Sequence, residues 1–545
     1  MMNRRALVPT LLAFAAAVVI ASPAQALRPL TPRDLVSLDR VSSPQVSPDG
    51  RWVAYVVSSL DLAANGRVST VRVMKADGSG ARLLTPLPDG GSNPVFGPDG
   101  ADVYYVTGRS GSSQVWRAAV AGGDPVQVTR FPLPVGNIKL SPDGRSLAFT
   151  TDVFVDCDTL ECTVQRLEER KKAPASGVLY EGIFVRHWNF WADGRRSHLF
   201  VTELPAATTA VDLSKGIDAD VPSKPDGGPE EFTFTPDGLG MVFAARDVGR
   251  REPWSTNFDL FVAPVDGTAK AVDITPENKA WDSQPVFSPG GKTLAYQAQR
   301  EPGYESDRFR LVLRSWEGRS AAGRFEFAVG PAQWVSESWD RSAEALAWTD
   351  GRTVAILSQN LGQRSLFAFD VRTGRVRTLV FGGNVDRHVV AGGKLFFTWN
   401  DISNPADVWS IGTSPVRRPA ASLLLVSVHG PVGRFPFRRE GLAHRGGPEG
   451  EPLGRSSPEA RTAGEPACDR RASPARPFRS PGRFFSRGAG GGPREPRQGV
   501  PSSAPGRPCP RSLSSCESCR RSSGRGGSPG TFSVRRPSSS TGFPG

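Results

Sequence analysis

Acyl transfer through a serine needs a G-x-S-x-G turn, followed in the chain by an Asp and a His that orient and activate the hydroxyl. One stretch matches that pattern, Gly526-Gly527-Ser528-Pro529-Gly530. No apolar strand leads into it, Pro529 lacks the N–H that an oxyanion donor requires, and neither Asp nor His follows Ser528. No catalytic residue is therefore assigned. Cys157 and Cys162 have no His and no third Cys near them in sequence, which speaks against a four-ligand zinc site. Cys516 and Cys519 have redox or zinc spacing, yet only Cys509 lies close by and no His does, so they read as a chance pair. The histidines are His187, His198, His388, His429 and His444. His187 and His198 sit among aromatic and Arg residues and read as packed or hydrogen-bonded strand positions, with a contact at the rim of a cleft as the functional alternative. No metal site, no cofactor and no substrate-binding residue is assigned.

The elements that would have to position any such group announce themselves by a repeated phrase. It reads Ser47-Pro48-Asp49-Gly50, Gly97-Pro98-Asp99-Gly100, Ser141-Pro142-Asp143-Gly144, Thr235-Pro236-Asp237-Gly238 and Ser288-Pro289-Gly290-Gly291, with a decayed sixth copy at Ser338-Trp339-Asp340-Arg341-Ser342. Pro presets φ, Asp bonds the backbone ahead of it, and Gly takes a positive φ at no steric cost, so each phrase is a tight turn. Apolar runs flank the turns, as in Phe232-Thr233-Phe234 before one and Leu294-Ala295-Tyr296 after another. Strand, turn, strand is a hairpin. A second hairpin follows in most repeats, for instance from Gln114-Val115-Trp116-Arg117 to Val126-Gln127-Val128-Thr129. Two hairpins every ~45–50 residues make the four-stranded blade of a β-propeller. The expectation is an all-β fold of about seven blades. The long interval between Asp143 and Asp237 reads as one blade with an insertion. The last copy lies near Gly393-Lys394-Leu395-Phe396-Phe397, and N-terminal residues are one way to complete its blade.

The ends of the chain speak a different language. Asn3-Arg4-Arg5, an apolar run over residues 11–21 and Ala24-Gln25-Ala26 have the order of a cleavable secretory signal, so residues 1–26 are expected to be removed. The apolar run is short for a bilayer span, so no stable membrane anchor is expected after cleavage. Export, periplasmic or extracellular, predicts an oxidising compartment in which Cys157 and Cys162 pair as a local disulfide. The propeller is assigned to residues 27–412. From residue 413 onward a low-complexity Arg/Pro/Ser/Gly-rich tail runs to residue 545 and reads as disordered; from Ser414 it contains no Lys, Ile, Asn, Tyr, Trp or Met. The tail carries roughly +15 of charge, which leaves roughly −2 for the rest of a chain whose total is +13. The basic balance thus belongs to the tail alone, and no nucleic-acid partner is expected of the propeller. Of the missing types, Lys, Ile, Asn, Tyr and Met have codons that begin with two A or T bases, so the tail also reads as GC-rich DNA translated out of frame.

Several segments together resemble the secreted bacterial members of the prolyl oligopeptidase family, the dipeptidyl aminopeptidase and acylaminoacyl peptidase-like serine peptidases. They are the stretch Leu179-Tyr180-Glu181-Gly182-Ile183-Phe184-Val185-Arg186-His187-Trp188-Asn189-Phe190-Trp191, the Cys157 to Cys162 stretch, and Ser403-Asn404-Pro405-Ala406-Asp407-Val408-Trp409. The resemblance covers about residues 27–410. It implies a propeller that gates the access of short peptides to an α/β-hydrolase domain carrying Ser, Asp and His. That domain is not readable after residue 412; His429-Gly430-Pro431 and His444-Arg445-Gly446-Gly447-Pro448 are only similar to the family's oxyanion segment. Some relatives hold a peptide N-terminus with paired Glu residues, but Glu168-Glu169 lies in a run that reads as a solvated helix. The expectation is the propeller half of an exported serine peptidase, inactive as this chain stands. The alternative is a non-enzymatic, TolB-like periplasmic propeller that binds protein partners, because such propellers share the turn phrase. The sequence leaves homo-oligomer formation open.

Overall fold

The structure is a computed structural model, and it describes residues 31–175, 177–321, 324–413 and 423–426. The signal-like segment 1–26 and the tail motifs at His429, His444, Cys516, Cys519 and Ser528 lie outside the described residues.

Antiparallel sheets follow one another along the chain. Blade 1 is Arg40–Val46, Trp52–Asp61, Gly66–Lys75 and Arg82–Leu83, and blade 2 is Ser92–Phe96, Asp102–Thr107, Gln114–Ala119 and Val126–Gln127. Blade 3 is Gly136–Leu140, Ser146–Val153, Arg196–Glu203 and Val211–Asp212. Blade 4 is Phe232–Phe234, Gly240–Ala245, Asp259–Pro264 and Val272–Asp273. Blade 5 is Asp282–Phe287, Thr293–Ala298, Arg310–Ala321 and Gln333–Trp334, its third strand extended into a hairpin with Arg324–Val329. Blade 6 is Glu344–Trp348, Thr353–Asn360, Gln363–Asp370 and Val376–Val380. Blade 7 is Asn384–Ala391, Lys394–Asn400, Asp407–Gly412 and Leu423–Val426. Blades 6 and 7 touch edge to edge through the single parallel pair Arg364↔Asn384.

Between each pair of neighbouring blades lies one apolar cluster. Leu199, Phe232 and Phe243 join blades 3 and 4, and Leu311, Ile356 and Phe369 join blades 5 and 6. The ring closes in the same way: Val53, Tyr55 and Met74 of blade 1 pack with Phe396 and Val408 of blade 7. A fully buried aromatic of this kind contributes about 3–5 kcal/mol when judged by truncation to Ala. The strand that completes blade 7 is Leu423–Val426, paired with Asp407–Gly412, and not an N-terminal segment. It comes from beyond residue 412, where the composition changes. Closure therefore rests on side-chain packing between blades 7 and 1.

The repeated phrases form one rim of the ring. In blade 1, Ser47 Oγ donates to Asp49 Oδ1 at 2.6 Å and accepts from Trp52 N at 2.9 Å, while Arg51 N donates to the same carboxylate at 3.0 Å. Ser141 with Asp143, and Thr235 with Asp237, repeat this pattern. Successive turns also touch. A Cβ on Gly144 would meet Pro98, one on Gly291 would meet Pro236, and one on Gly50 would lie 2.9 Å from Gly392 Cα across the closure. The sixth turn is not where the phrase Ser338 to Ser342 suggests. Those residues precede the first strand of blade 6, and the hairpin turn is Thr349-Asp350-Gly351-Arg352. Asp350 Oδ1 caps it by accepting from Arg352 N and Thr353 N, so the carboxylate does the work without a Pro.

Candidate functional site

Strands alternate in direction within a blade, so the loops between second and third strands, and the connections from one blade to the next, gather on the face opposite the turn rim. Leu62, Trp254, Tyr304, Leu361 and Ile402 all lie in loops between second and third strands or their blade 7 equivalent, and all are exposed. Leu87 in a blade-to-blade connection, and Leu35 and Val36 in the helix Pro32–Ser37 that leads into blade 1, belong to the same face. Leu239 is the exposed large apolar residue of the turn rim, and Leu83, Val126 and Val272 stand on outermost strands.

Blade 3 carries the largest departure. Between its second and third strands lie the helix Leu160–Lys172 and the short hairpin Arg186–His187 with Phe190–Trp191. Thr159 caps the helix, accepting from Cys162 N at 3.2 Å, and Arg166 and Arg170 hold their guanidinium groups 4.7 and 4.4 Å from the Phe154 ring. Cys157 and Cys162 are joined in a disulfide, with Cα atoms 5.6 Å apart. Arg170 donates to Asp193 O and Tyr180 Oη to Ala192 O, which ties the end of the hairpin to the inserted helix and the loop after it. Beyond these ties the hairpin is bare: Trp188 is 64% exposed, Phe190 63% and Trp191 58%. His187 is exposed there and packs edge-on against Trp188 at 4.9 Å. Glu168 pairs with Lys171, and Glu169 accepts from Gln165, both on the solvent side of the helix. His198 is the hydrogen-bonded strand residue, with Nδ1 2.8 Å from Asp212 Oδ2 and Nε2 3.2 Å from Ile217 O. His388 is pushed down to about 4 by burial, with the Arg364 charge acting the same way, and stays neutral near pH 7.

At the inner end of blade 3 a cavity of about 400 Å³ opens, with Asn137, Thr150, Thr151, Asp152, Arg195 and Lys224 among its lining. Asn137 sits at a bulge of the innermost strand with φ 46°, and its amide donates to Thr150 Oγ1 at 3.1 Å. Ser43, Asn93, Gln284 and Ala345 take the same positive φ in the innermost strands of blades 1, 2, 5 and 6. Blade 4 instead has a short 3-10 turn, Pro229–Glu231, ahead of its first strand. Glu231 is buried there, with Ser223 N and Oγ both donating to it at 2.7 Å; burial raises its pKa. Lys139 of blade 3 donates to Pro229 O at 2.8 Å and to Phe232 O, and burial lowers its ammonium to about 8 against the pull of Glu230. Glu230 also accepts from Arg387 Nη1 at 3.0 Å. Arg387 belongs to the innermost strand of blade 7, so this pair crosses the axis of the ring.

A second group missed by the sequence lies under the loop face in blades 4 and 5. Asp282 is fully buried and its pKa is pushed up to about 8 by burial, with the charges of Asp259 and Asp273 adding. Asp259 is pushed up to about 7 by burial and by Asp273. Both open a strand and read in sequence as ordinary strand-edge acids. Among the described residues no three His, Cys, Asp or Glu side chains gather as metal ligands. No helix among them is long and apolar enough to cross a membrane.

The sheets thus define a seven-bladed propeller whose loop face is apolar and elaborated. No protein-family model matches the chain. Dipeptidyl-peptidase 5 of Porphyromonas gingivalis is 25% identical over 357 residues, covering 65% of this chain and 49% of that protein. Dipeptidyl-peptidase 5 of Porphyromonas endodontalis is 30% identical over 287 residues, covering 52% and 40%. The chain spans about half the length, or less, of these curated relatives. Among solved structures, acylaminoacyl peptidase of Pyrococcus horikoshii matches with a TM-score of 0.52 at 14% identity, over 72% of this chain and 53% of that one, which shows a shared fold. These similarities support a propeller domain like that of prolyl oligopeptidase-family peptidases.

Proposed function

We propose that this chain is the substrate-gating propeller of an exported prolyl oligopeptidase-type serine peptidase for short peptides, and that the chain by itself does not hydrolyse them. The observation that carries the reading is that the similarity to the dipeptidyl-peptidase 5 proteins falls on a propeller whose loop face exposes Trp188, Phe190, Trp191 and Trp254. An exposed patch of that kind suits a second domain laid over it. The helix Pro32–Ser37 and the far end of Leu423–Val426 both reach that face, so a following domain would emerge beside it. In an intact family member such a domain would form an acyl-enzyme through its serine and release it with water. Here Ser528 has no Asp or His after it in the sequence, and the tail composition supports a reading out of frame.

The test is direct. The purified full-length chain should give no turnover of dipeptidyl-nitroanilides and no labelling by a fluorophosphonate. Labelling that disappears in Ser528→Ala would overturn the inactive reading. Tail peptides seen by mass spectrometry, together with an intact transcript frame, would remove the out-of-frame reading. The TolB-like alternative draws on the same exposed rings, with a protein partner in place of the hydrolase. A monodisperse chain that binds no apolar dye would count against both, because both leave that face uncovered.

A further inference from the structure

On the loop face a cavity of about 450 Å³ opens between blades 4 and 5. Three segments wall it: the loop between the second and third strands of blade 4, with its 3-10 turn Gly249–Trp254; the connection from blade 4 to blade 5; and the loop between the second and third strands of blade 5. Hydrogen bonds and ring contacts fix these walls. Gly303 N donates to Thr256 Oγ1 at 2.8 Å, which joins the two loops. Ser255 N donates to Glu252 O at 3.3 Å, and Ser255 O accepts from Arg246 Nη1 at 3.2 Å. Glu252 is itself held by Arg196 at 2.7 Å and by Arg246 at 3.5 Å. Arg246 stands 4.9 Å from the Phe258 ring, which stacks on Trp281 at 4.5 Å. A site built in advance loses little freedom on binding.

The lining combines charge of one sign with apolar surface. Arg251 and Lys279 are its charged residues, and it contains no carboxylate. Both are exposed, and among the described residues neither side chain takes part in an ion pair or a hydrogen bond. Lys279 feels Asp259 and Asp273 through space, but Asp273 is shared with Arg314, and burial keeps Asp259 largely protonated below about 7. Glu252 is taken up by its two arginines, and Asp247, Glu301 and Glu305 lie outside the lining. The apolar part is Trp254, 72% exposed, with Val248 and Pro302. An indole offers a large, rigid face to a hydrocarbon group or a ring.

We propose that this cavity is a subsite for the C-terminal residue of a short peptide, with Arg251 and Lys279 taking the carboxylate and Trp254, Val248 and Pro302 taking an apolar side chain. Arg meets a carboxylate through two parallel N–H···O bonds, and Lys adds a second charge. A C-terminal residue carries its carboxylate and its side chain on the same Cα, so both reach the cavity together. An acidic side chain would bring polar backbone to the indole instead. That the ligand is a peptide rests on the peptidase reading; that it is a carboxylate beside a hydrocarbon group rests on the lining alone. The cavity opens on the face that the peptidase reading gives to a second domain, where a peptide held by its C-terminus offers its other end for cleavage.

The experiment is calorimetric titration of the full-length chain with four small probes. They are N-acetyl-Ala-Ala-Phe with a free carboxylate, its C-terminal amide, N-acetyl-Ala-Ala-Ala with a free carboxylate, and N-acetyl-Ala-Asp-Ala-amide. The first should bind best, the third about threefold or more weaker, and the second and fourth about tenfold or more weaker. Arg251→Gln and Lys279→Gln should each weaken the first probe by roughly three- to tenfold. Trp254→Ser should weaken the first probe and leave the third unchanged. All three side chains are exposed, so the variants should melt close to the parent. The proposal falls if the amide binds as well as the acid, or if no probe binds up to about 10 mM. It falls equally if Arg251→Gln and Lys279→Gln fold and bind like the parent. Tightest binding of the Asp probe would overturn the assignment to a C-terminus and give the site to acidic side chains. None of these readouts needs turnover, so failure here leaves the peptidase reading standing, and fluorophosphonate labelling would leave this one standing.

Discussion

Two pairs of carboxylates, one on the turn side of the ring and one buried under the loop face, are treated in opposite ways. On the turn rim, Asp49 is lowered to about 2, first by the Ser47 hydroxyl and then by Arg51 N. Asp370, capping the outer hairpin of blade 6, is likewise lowered to about 2, with the Arg352 side chain as the leading cause. Under the loop face, Asp282 and Asp259 are raised to about 8 and about 7, chiefly by burial. A turn needs the charged form as an acceptor for several donors, whereas a buried strand end excludes it. The rim is therefore built from exposed, locally satisfied groups. Asp259 and Asp282, under the loop face, are instead buried.

The largest contrast should appear in the glycines and aromatics that mark each face. Gly50 has φ 72° and a Cβ there would press on Gly392 at the blade 1 to blade 7 closure. Gly50→Val should lower unfolding free energy by about 2–4 kcal/mol, read as a shift of the denaturant midpoint. Gly80 has φ 66° with open space around it, so Gly80→Val isolates the backbone cost and should lose clearly less. Trp188→Ser on the loop face should stay within about 0.5 kcal/mol of the parent and reduce binding of an apolar dye. Equal losses at Gly50 and Gly80 would mean that the rim contacts do not hold the ring closed.

Next comes the pH response. The folded carboxyls of Asp282 and Asp259 keep protons that the unfolded chain has released above about pH 4. Stability from them is therefore full at low pH, falls as pH rises toward about 7 and 8, and levels off above. The depressed rim acids act in the other direction: their contribution is present above about pH 4 and is lost as pH falls toward about 2. Asp282→Asn keeps an oxygen acceptor for the 2.8 Å bond from Asn278 and removes the titration. It should flatten the fall in stability between about pH 5 and pH 8 and raise stability at pH 8 by about 1–3 kcal/mol. An unchanged slope in chemical unfolding would show that Asp282 ionises without penalty.

The same contrast explains what was legible in the sequence. Each rim turn is closed by residues two to five positions apart, so Ser-Pro-Asp-Gly is both the cause and the visible sign of the structure. The sixth copy misleads because Ser338 to Ser342 has turn-like residues in a blade-to-blade connection, while the working turn, Thr349 to Arg352, has no Pro. The blade 3 cavity is drawn from residues 134–152, 195–197 and 222–227, and only folding brings these together. Thr151 looks like any strand threonine until its hydroxyl is found without a partner. His198, read as a packed or hydrogen-bonded strand position, is hydrogen-bonded through both ring nitrogens. Asp282 could not be read from the sequence, because the burial that raises it comes from the packing of blades 4 and 5.

The smallest expected effect tests whether the ring is held from its interfaces or from its axis. Glu230 and Arg387 meet at 3.0 Å, with side chains 28% and 56% exposed. A pair so open to water is screened and contributes up to about 1 kcal/mol. Glu230→Gln and Arg387→Ala should each cost no more than that, and a double-mutant cycle should give a coupling of a few tenths of a kcal/mol that fades in ~0.5 M salt. The apolar clusters between blades would then carry the closure, with the pair serving only to keep the turn Pro229–Glu231 over the axis. A coupling above about 2 kcal/mol that survives salt would reverse that order. The axial pair would then be a structural strut linking blades 4 and 7, and a mutation at Gly50 would be partly compensated across the ring.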